Sequence, residues 1–280
     1  MRINAAQLDR YQREGFLVLE GLLDAALCDR LRVRAEEMVR EFDPSGVVSI
    51  FSTYEQSRLT DDYFLESGDK IRFFFEEDAF LPDGSLKQTK ERSINKIGHA
   101  LHELDPVFRE FSQADVIKQL VADLGIAAPL LLQSMYIFKQ PKIGGEVTCH
   151  QDSTFLYTEP RDIAGLWFAL EDATVDNGCL WAIPGGHKLG LKSRWLRSPN
   201  GMKFDVFDSS PWPEELLVPL QVPKGSLIIL NGLVPHKSLA NRSAKSRHAY
   251  SLHVISGNSR YPADNWLQRS AELPLRGFDD

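Results

Sequence analysis

Two residues near the middle of the chain, His150 and Asp152, have the types and spacing needed to hold a metal ion together. In an extended backbone successive side chains point to opposite faces, so residues two apart project to the same side. A third ligand would complete a face of two histidines and one carboxylate with open positions, the arrangement expected of non-haem Fe(II) oxygenases. His236, which follows an apolar run and the turn residues 231–232, is the natural candidate. An isolated His-x-Asp tripeptide is more often structural, so the rest of the chain decides its meaning.

Arg247 lies eleven residues after His236 (247 minus 236) and opens a strand-like run over 248–254. A planar guanidinium placed one strand away from a metal is suited to gripping the far carboxylate of a small dicarboxylic acid through two parallel hydrogen bonds. The pattern therefore indicates a dicarboxylate co-substrate bound beside the metal.

The order His-x-Asp, distal His and Arg resembles the Fe(II)- and 2-oxoglutarate-dependent dioxygenases. Further segments make the chain similar to the phytanoyl-CoA dioxygenase family: 68–76 (GDKIRFFFE), 93–102 (SINKIGHALH), 133–141 (QSMYIFKQP) and 177–181 (NGCLW). The likeness runs from about residue 8 to residue 274. Several long motifs in the same order make this resemblance specific.

The resemblance implies an enzyme that binds Fe(II), with 2-oxoglutarate and O2 as co-substrates. It would oxidise, most simply hydroxylate, a C–H bond of a small molecule or acyl substrate while 2-oxoglutarate is decarboxylated to succinate and CO2. The implied iron ligands are His150, Asp152 and His236, and Arg247 would hold the distal carboxylate. A retained carboxylate at Asp152 favours hydroxylation or demethylation over halogenation. The resemblance also implies co-substrate contacts from Lys96, Met135, Trp167 and Ser238.

Each of those four contacts has a plainer alternative. From the sequence alone Lys96 is a solvated charge on a helix, and Met135 and Trp167 are core side chains of strands. Ser238 is the better candidate because it lies two residues beyond His236 and shares its face in a strand.

Two other classes of protein fit the same three ligands. One is a zinc hydrolase, since zinc also accepts two imidazoles and a carboxylate with an open position. The other is a non-catalytic cupin-like module that binds metal and 2-oxoglutarate without turnover. Arg247 at its spacing counts against the zinc enzyme. The remaining histidines are predicted not to be ligands, and they are His99, His102, His187, His248 and His253.

Composition limits the possible partners. Lys and Arg total 32 against 39 Asp and Glu, a formal net charge of -7, and no basic stripe interrupts it. Binding to nucleic acid or to an anionic membrane therefore has little electrostatic support. The three cysteines are too few for a disulfide framework and fit a reducing compartment, which predicts a cytoplasmic location. The expected partner is a small-molecule substrate, and its identity and the oligomeric state stay open.

The second half of the chain contains the elements that must position these residues. Short runs rich in Leu, Ile, Val and aromatic residues recur there, divided by Gly, Pro and Asn turns: 130–138, 163–170, 179–183, 216–222, 226–230 and 247–255. Many short strands at such intervals are typical of a jelly roll or barrel. We predict a mainly β fold with flanking α, namely a double-stranded β-helix (jelly roll, cupin-like) core with N-terminal helices packed on one sheet.

The N-terminal half is predicted to be mostly helical. A short helix ends near Gly15, a brief strand covers 16–19, and Asp24 caps a second helix that runs to about Phe42. Apolar spacing predicts a further helical segment over 93–104.

We expect residues 1–280 to form a single dioxygenase domain. Its parts are a mostly helical segment at about 1–128, the jelly-roll core at about 129–256 and a C-terminal extension at about 257–280. The irregular stretch 43–67 and the long connection 192–213 are candidate lids, because connections of this length are uncommon unless they are functional.

Overall fold

The computed structural model describes residues 2–47, 49–51 and 61–278. The helices in these ranges are α1 (Ala5–Glu14), α2 (Ala25–Glu41), α3 (Asp62–Leu65), α4 (Leu101–Leu104), α5 (Pro106–Ser112), α6 (Asp115–Asp123) and α7 (Asp152–Phe155). The strands are β1 (Phe16–Leu19), β2 (Ile71–Phe75), β3 (Ile94–His99), β4 (Pro129–Ile137), β5 (Val147–His150), β6 (Ala164–Ala169), β7 (Leu180–Ala182), β8 (Ser193–Ser198), β9 (Gly201–Val206), β10 (Val218–Leu220), β11 (Leu227–Asn231), β12 (His236–Ser238) and β13 (Ala249–Ser256). None of the helices in the described ranges has the length and apolar character needed to cross a bilayer.

Two antiparallel sheets form the β core. The larger has the strand order β1-β11-β6-β13-β4-β3-β2, and the smaller has β10-β7-β12-β5. Their inner faces meet in one apolar cluster, where Trp167 and Leu230 of the larger sheet join Leu180 and Ala182 of the smaller. Alternating inward side chains of two facing sheets build this kind of sandwich core. The predicted jelly roll with flanking helices is confirmed.

The N-terminal helices cover the opposite face of the larger sheet. Leu166 and Phe168 of β6 point into the same cluster as Leu31 of α2, whereas Trp167 between them faces the smaller sheet. The Phe108 ring of α5 stacks on Tyr250 of β13 with the ring centroids 5.1 Å apart. Because side chains alternate along its strands, the larger sheet has one face covered by helices and one face packed against the smaller sheet.

Local signals set the ends of the first helices where the sequence predicted them. The Asp24 side chain accepts a hydrogen bond from the Leu27 N–H and so caps α2. Gly15 ends α1 with a φ of 82°, a left-handed conformation that glycine adopts without a Cβ penalty.

The helical prediction for 93–104 is wrong in its first half. Residues Ile94–His99 form β3, which lies between β2 and β4 and is buried at every position, and only Leu101–Leu104 is helical. A short apolar run buried on both faces has no alternation, so its period does not distinguish strand from helix. The predicted structural role of His99 agrees with its contact to Ser67 Oγ, 2.7 Å from the ring Nδ1.

The long connection 192–213 contains a β-hairpin of strands β8 and β9. Arg197 in β8 donates from Nη2 to the carbonyl oxygens of Leu65 and Trp266, at 2.7 Å each. The Trp266 ring in turn stacks on Phe64 at 4.7 Å, which shows that the C-terminal segment packs back on the body as its aromatic content suggests. Much of the other candidate lid, residues 52–60, lies outside the described residues.

Candidate active site

The two histidines of the predicted metal triad come from neighbouring strands of the smaller sheet. His150 ends β5 and His236 begins β12, and the two are direct partners in the antiparallel register. Their ring centroids are therefore only 4.4 Å apart. Asp152 follows as the first residue of α7. The Gln151 side chain holds this turn by donating to the Leu233 carbonyl at 2.7 Å.

The three side chains present their ligand atoms to one point. Asp152 Oδ1 lies 3.8 Å from His150 Nε2 and 3.7 Å from His236 Nε2, and the three ligand atoms lie within 4.8 Å of one another. Each imidazole directs Nδ1 at a backbone carbonyl, that of Thr148 at 2.8 Å and that of Val234 at 3.0 Å. A carbonyl only accepts, so Nδ1 carries the proton and Nε2 keeps its lone pair for a metal.

The protonation states also suit a metal. Burial alone would raise the pKa of Asp152, but His236, His253 and His150 beside it hold that pKa below its usual value. Burial, with His236 nearby, lowers the pKa of His150 to about 4. At neutral pH the triad therefore offers a carboxylate and a neutral imidazole, the forms that coordinate metal ions.

His253 is a residue near the triad that the sequence did not single out beyond predicting that it is not a ligand. Its Nε2 lies 3.3 Å from Asp152 Oδ2, the oxygen turned away from the two other histidines. Gly165 on β6 leaves room for this contact, since a Cβ there would lie 3.0 Å from the same oxygen. The signal was absent from the local sequence because β13 and α7 meet only through the fold.

Arg247 lies just before β13 with its side chain almost completely buried. Its Nε donates to the Gly178 carbonyl at 3.1 Å, and its Cζ lies 5.1 Å from the centroid of the Trp167 ring. Within the described part of the chain its Nη1 has no hydrogen-bond partner. Burial lowers the pKa of Arg247 to about 10, so the group is still a cation at neutral pH. An unpartnered buried guanidinium nitrogen is a position where an anionic ligand group gains most.

The turn at 177–178 orients two of the predicted co-substrate contacts. Ser238 Oγ also donates to the Gly178 carbonyl, at 2.9 Å, so this one oxygen anchors both Ser238 and Arg247. Gly178 has a φ of 85°, and a Cβ there would lie 2.6 Å from the Leu239 carbonyl oxygen. Both the conformation and the close approach require glycine at this position.

All four further contacts predicted from the sequence line the cavity that contains the triad and Arg247. This cavity has a volume of about 130 Å³, and its lining includes Lys96, Met135, Trp167 and Ser238. Lys96 is buried in strand β3, so the alternative of a solvated charge on a helix is wrong. Its Nζ lies 3.7 Å from the centroid of Phe51 and 3.8 Å from Met135 Sδ. Burial lowers its pKa to about 7.

Lys139 is a second buried lysine at this cavity, and it is not among the site residues predicted from the sequence. Its Nζ donates to the Gly145 carbonyl at 2.5 Å and approaches the Ser238 carbonyl at 3.4 Å. Burial, with Arg247 nearby, lowers its pKa to about 7. Lys139 lies within the segment 133–141 that carries the resemblance, but only the three-dimensional structure shows that it lines the cavity.

This site and fold, a jelly roll with two imidazoles and one carboxylate beside a buried arginine, define the class of iron- and 2-oxoglutarate-dependent oxygenases. The sequence model of the family described as Phytanoyl-CoA dioxygenase (PhyH) matches residues 11–249. The chain belongs to this family.

Relatives from distant organisms support the assignment. A phytanoyl-CoA dioxygenase of Arabidopsis thaliana is 51% identical over 269 residues, covering 96% of this chain and 94% of the relative. The phytanoyl-CoA dioxygenase domain-containing protein 1 of Mus musculus is 47% identical over 283 residues, covering 98% and 97%.

Solved structures support the fold. The carbocyclase SnoK from nogalamycin biosynthesis, described as a non-heme alpha ketoglutarate dependent enzyme, superposes with a TM-score of 0.67 at 15% identity, covering 98% of this chain and 96% of SnoK. EctD from S. alaskensis, crystallised with 2-oxoglutarate and 5-hydroxyectoine, gives a TM-score of 0.65 at 19% identity, covering 96% and 84%.

Proposed function

We propose that this protein oxidises a C–H bond of a small-molecule substrate and couples this oxidation to the decarboxylation of 2-oxoglutarate to succinate and CO2. His150, Asp152 and His236 hold Fe(II), and Arg247 holds the distal carboxylate of 2-oxoglutarate. One observation carries the proposal. The open triad lies in the same small cavity as Arg247, whose Nη1 has no partner among the residues that the structure describes.

The side chains of this chain orient the reactants and exclude water. Bound iron would supply the activation of O2. The Nδ1 hydrogen bonds of His150 and His236 fix the ring tautomers, and Gly178 fixes the direction of the Arg247 guanidinium. Ser238, Lys96, Met135 and Trp167 complete the walls of the co-substrate cavity. A buried, pre-oriented cation strengthens its hydrogen bonds to a carboxylate because water does not compete for them.

Anaerobic titration tests the proposed complex before any turnover. Addition of 2-oxoglutarate to the Fe(II)-loaded protein should produce a visible metal-to-ligand charge-transfer absorption that saturates at one equivalent. Zinc-loaded protein serves as the colourless control. An iron-loaded, folded sample that stays colourless at saturating 2-oxoglutarate would show that the co-substrate does not chelate the metal.

The lowered pKa of Lys96 predicts a pH dependence of co-substrate binding. The protonated ammonium attracts the carboxylates of 2-oxoglutarate, and this attraction is present below about pH 7 and is lost as pH rises through the folded-state pKa. The neighbouring His99 stays neutral, since burial lowers its pKa well below the usual value. We expect the KM for 2-oxoglutarate to rise by up to about tenfold per pH unit above neutrality.

Two variants separate this effect from other titrations. Lys96→Arg keeps a permanent charge and should weaken the pH dependence, whereas Lys96→Met should raise the KM below neutrality. Any dependence left in both variants would come from Lys139, whose pKa is also lowered to about 7. Parallel profiles for the wild type and Lys96→Met, measured from about pH 6 to 8.5, would assign the dependence to another group.

His253 is expected to position the Asp152 carboxylate. Its Nε2 lies 3.3 Å from Asp152 Oδ2, and a proton on this nitrogen would hold Oδ2 and leave Oδ1 for the metal. Outer partners of metal ligands typically contribute about 10- to 100-fold in metal affinity. We expect that loss in His253→Ala, measured by competition for Fe(II) with a chelator, and near-wild-type affinity in His253→Gln, whose amide still donates. Equal iron affinity of the wild type and His253→Ala would remove His253 from the site.

We further propose that residues 1–280 act as one catalytic domain in the cytoplasm. Support for the location comes from the cysteines, since Cys28, Cys149 and Cys179 are all free and no two of them are bonded. Free thiols are typical of reducing compartments. Expression of a tagged full chain with fractionation of the cell would test the location.

A further inference from the structure

A second, larger cavity adjoins the triad and extends beyond the cavity that contains Arg247. Its volume is about 540 Å³, within the roughly 300–1,000 Å³ range of pockets that take drug-sized ligands. His150, Asp152 and His253 line both cavities, so the larger one opens directly onto the metal ligands. Its exposed lining residues, among them Val206 and Asp208, place its mouth beside the end of β9.

One wall of this cavity is aromatic and begins at the metal site. The Phe155 ring lies edge-on to His150 with the centroids 6.0 Å apart, and it contacts Trp195 of β8 at 5.9 Å and Phe204 of β9 at 6.4 Å. The hairpin that carries Trp195 and Phe204 is fixed by the Arg197 contacts described above. The wall is therefore preformed, and its ring faces suit a flat ring system.

Gln133 adds a neutral hydrogen-bonding side chain to the lining of this cavity. Gln133 of β4 is buried, lines the cavity and is the register partner of His253. Because Gln133 lines the cavity, its side-chain amide can give a ligand both a donor and an acceptor contact.

The charges at the mouth are already compensated. Lys192 Nζ lies 2.8 Å from Asp208 Oδ2, 2.6 Å from the Ser210 carbonyl and 2.6 Å from Ser210 Oγ. An ammonium has three donors, so these partners use all of them. Among the described lining residues, Lys192 and Asp208 are the charged side chains at this end, whereas Lys96 and Asp152 lie where this cavity adjoins the co-substrate cavity. Phosphate groups bind to free cations, most often arginines, and this mouth provides none from the described residues.

We propose that this cavity binds the primary substrate, and that this substrate is an uncharged molecule built on a flat ring system with one hydrogen-bonding group, not a coenzyme A thioester. The aromatic wall receives the ring, Gln133 receives the polar group, and the ring edge near His150 is the position presented for oxidation. The formal net charge of -7 also opposes a polyanionic substrate. This inference rests on the proposed function for its chemistry.

A matched pair of ligands tests the substrate class. N-phenyl-1-naphthylamine, an uncharged fluorescent ring compound, is bound to the iron-loaded protein without O2 and is then displaced by 1-naphthamide or by 1-naphthoyl-coenzyme A. We expect the amide to displace the probe at a concentration at least about tenfold lower than the thioester. Equal or better displacement by the thioester, or no probe binding at all, would overturn the proposal.

Variants place the ligand in this cavity. Phe204→Ala should weaken probe binding about tenfold, whereas Phe207→Ala, an exposed ring outside the cavity, should leave it unchanged. Gln133→Leu should weaken binding of the amide more than binding of the probe. Asp208→Asn releases one donor of Lys192, so it should improve binding of the thioester and not of the amide. Equal effects of Phe204→Ala and Phe207→Ala would place the probe elsewhere.

The binding assay and the test of the proposed function can each give a negative result independently of the other. Displacement is measured without O2 and needs no turnover, whereas succinate release without any added substrate tests the oxygenase chemistry alone. Succinate release together with no binding of uncharged ring compounds would overturn only the substrate class.

Discussion

His150→Ala and Asp152→Ala should each lose stoichiometric iron binding while the protein stays folded. An open metal site has few protein ligands, so removing one of three leaves too few donors to hold the ion. The fold should persist because these side chains face a cavity and contribute little to the apolar clusters. Iron per chain, measured by elemental analysis after loading and desalting, is the readout.

Suitable controls separate ligand loss from unfolding. His187→Ala removes a histidine that contacts the Gln12 carbonyl away from the triad, and it should retain the iron content of the wild type. Asp152→Gly should retain at most weak iron through the two imidazoles and should not hydroxylate. Purified, folded His150→Ala or Asp152→Ala with wild-type iron content would show that the triad is not the metal site.

Arg247→Ala should raise the KM for 2-oxoglutarate by about ten- to a hundredfold, because hydrogen bonds to charged groups contribute roughly 1.5–3 kcal/mol. Iron content should stay normal, since Arg247 contacts the Gly178 carbonyl and the Trp167 ring and none of the triad. Arg247→Lys is the matched variant. It keeps the charge but loses the planar pair of donors, so its KM for 2-oxoglutarate should lie between that of the wild type and that of Arg247→Ala.

Two other outcomes would change the assignment of the carboxylate site. Loss of metal in Arg247→Ala would mean that the arginine supports the triad itself. Normal 2-oxoglutarate binding in the same variant would transfer the role to Lys96 or Lys139, two buried lysines of this cavity.

Local signals were enough to predict the elements whose ends are fixed by their own residues. Asp24 caps α2 and Gly15 ends α1 through contacts within a few residues, so the sequence contains the whole cause. The same holds for most strands of the jelly roll, where Gly, Pro and Asn turns divide short apolar runs. The His-x-Asp spacing, together with the family resemblance for His236, also predicted that His150, Asp152 and His236 would meet, and they do.

The sequence could not show features that depend on which elements become neighbours. β3 is buried on both faces because it lies between β2 and β4, and Lys96 becomes a cavity residue only through that placement. His253 meets Asp152, and Lys139 meets the Gly145 carbonyl, because separate strands pack together. Tertiary context of this kind overrides the pattern of any single segment.

The most direct test of the central claim is 2-oxoglutarate turnover without a primary substrate. Protein loaded with iron and supplied with ascorbate, O2 and 2-oxoglutarate should release succinate slowly, and it should release succinate faster once its true substrate is added, because closure over a bound substrate aligns the C–H bond and excludes water. Arg247→Ala provides the matched background. A folded, iron-loaded sample that releases no succinate at any pH would contradict the oxygenase and favour a non-catalytic module that binds metal and 2-oxoglutarate.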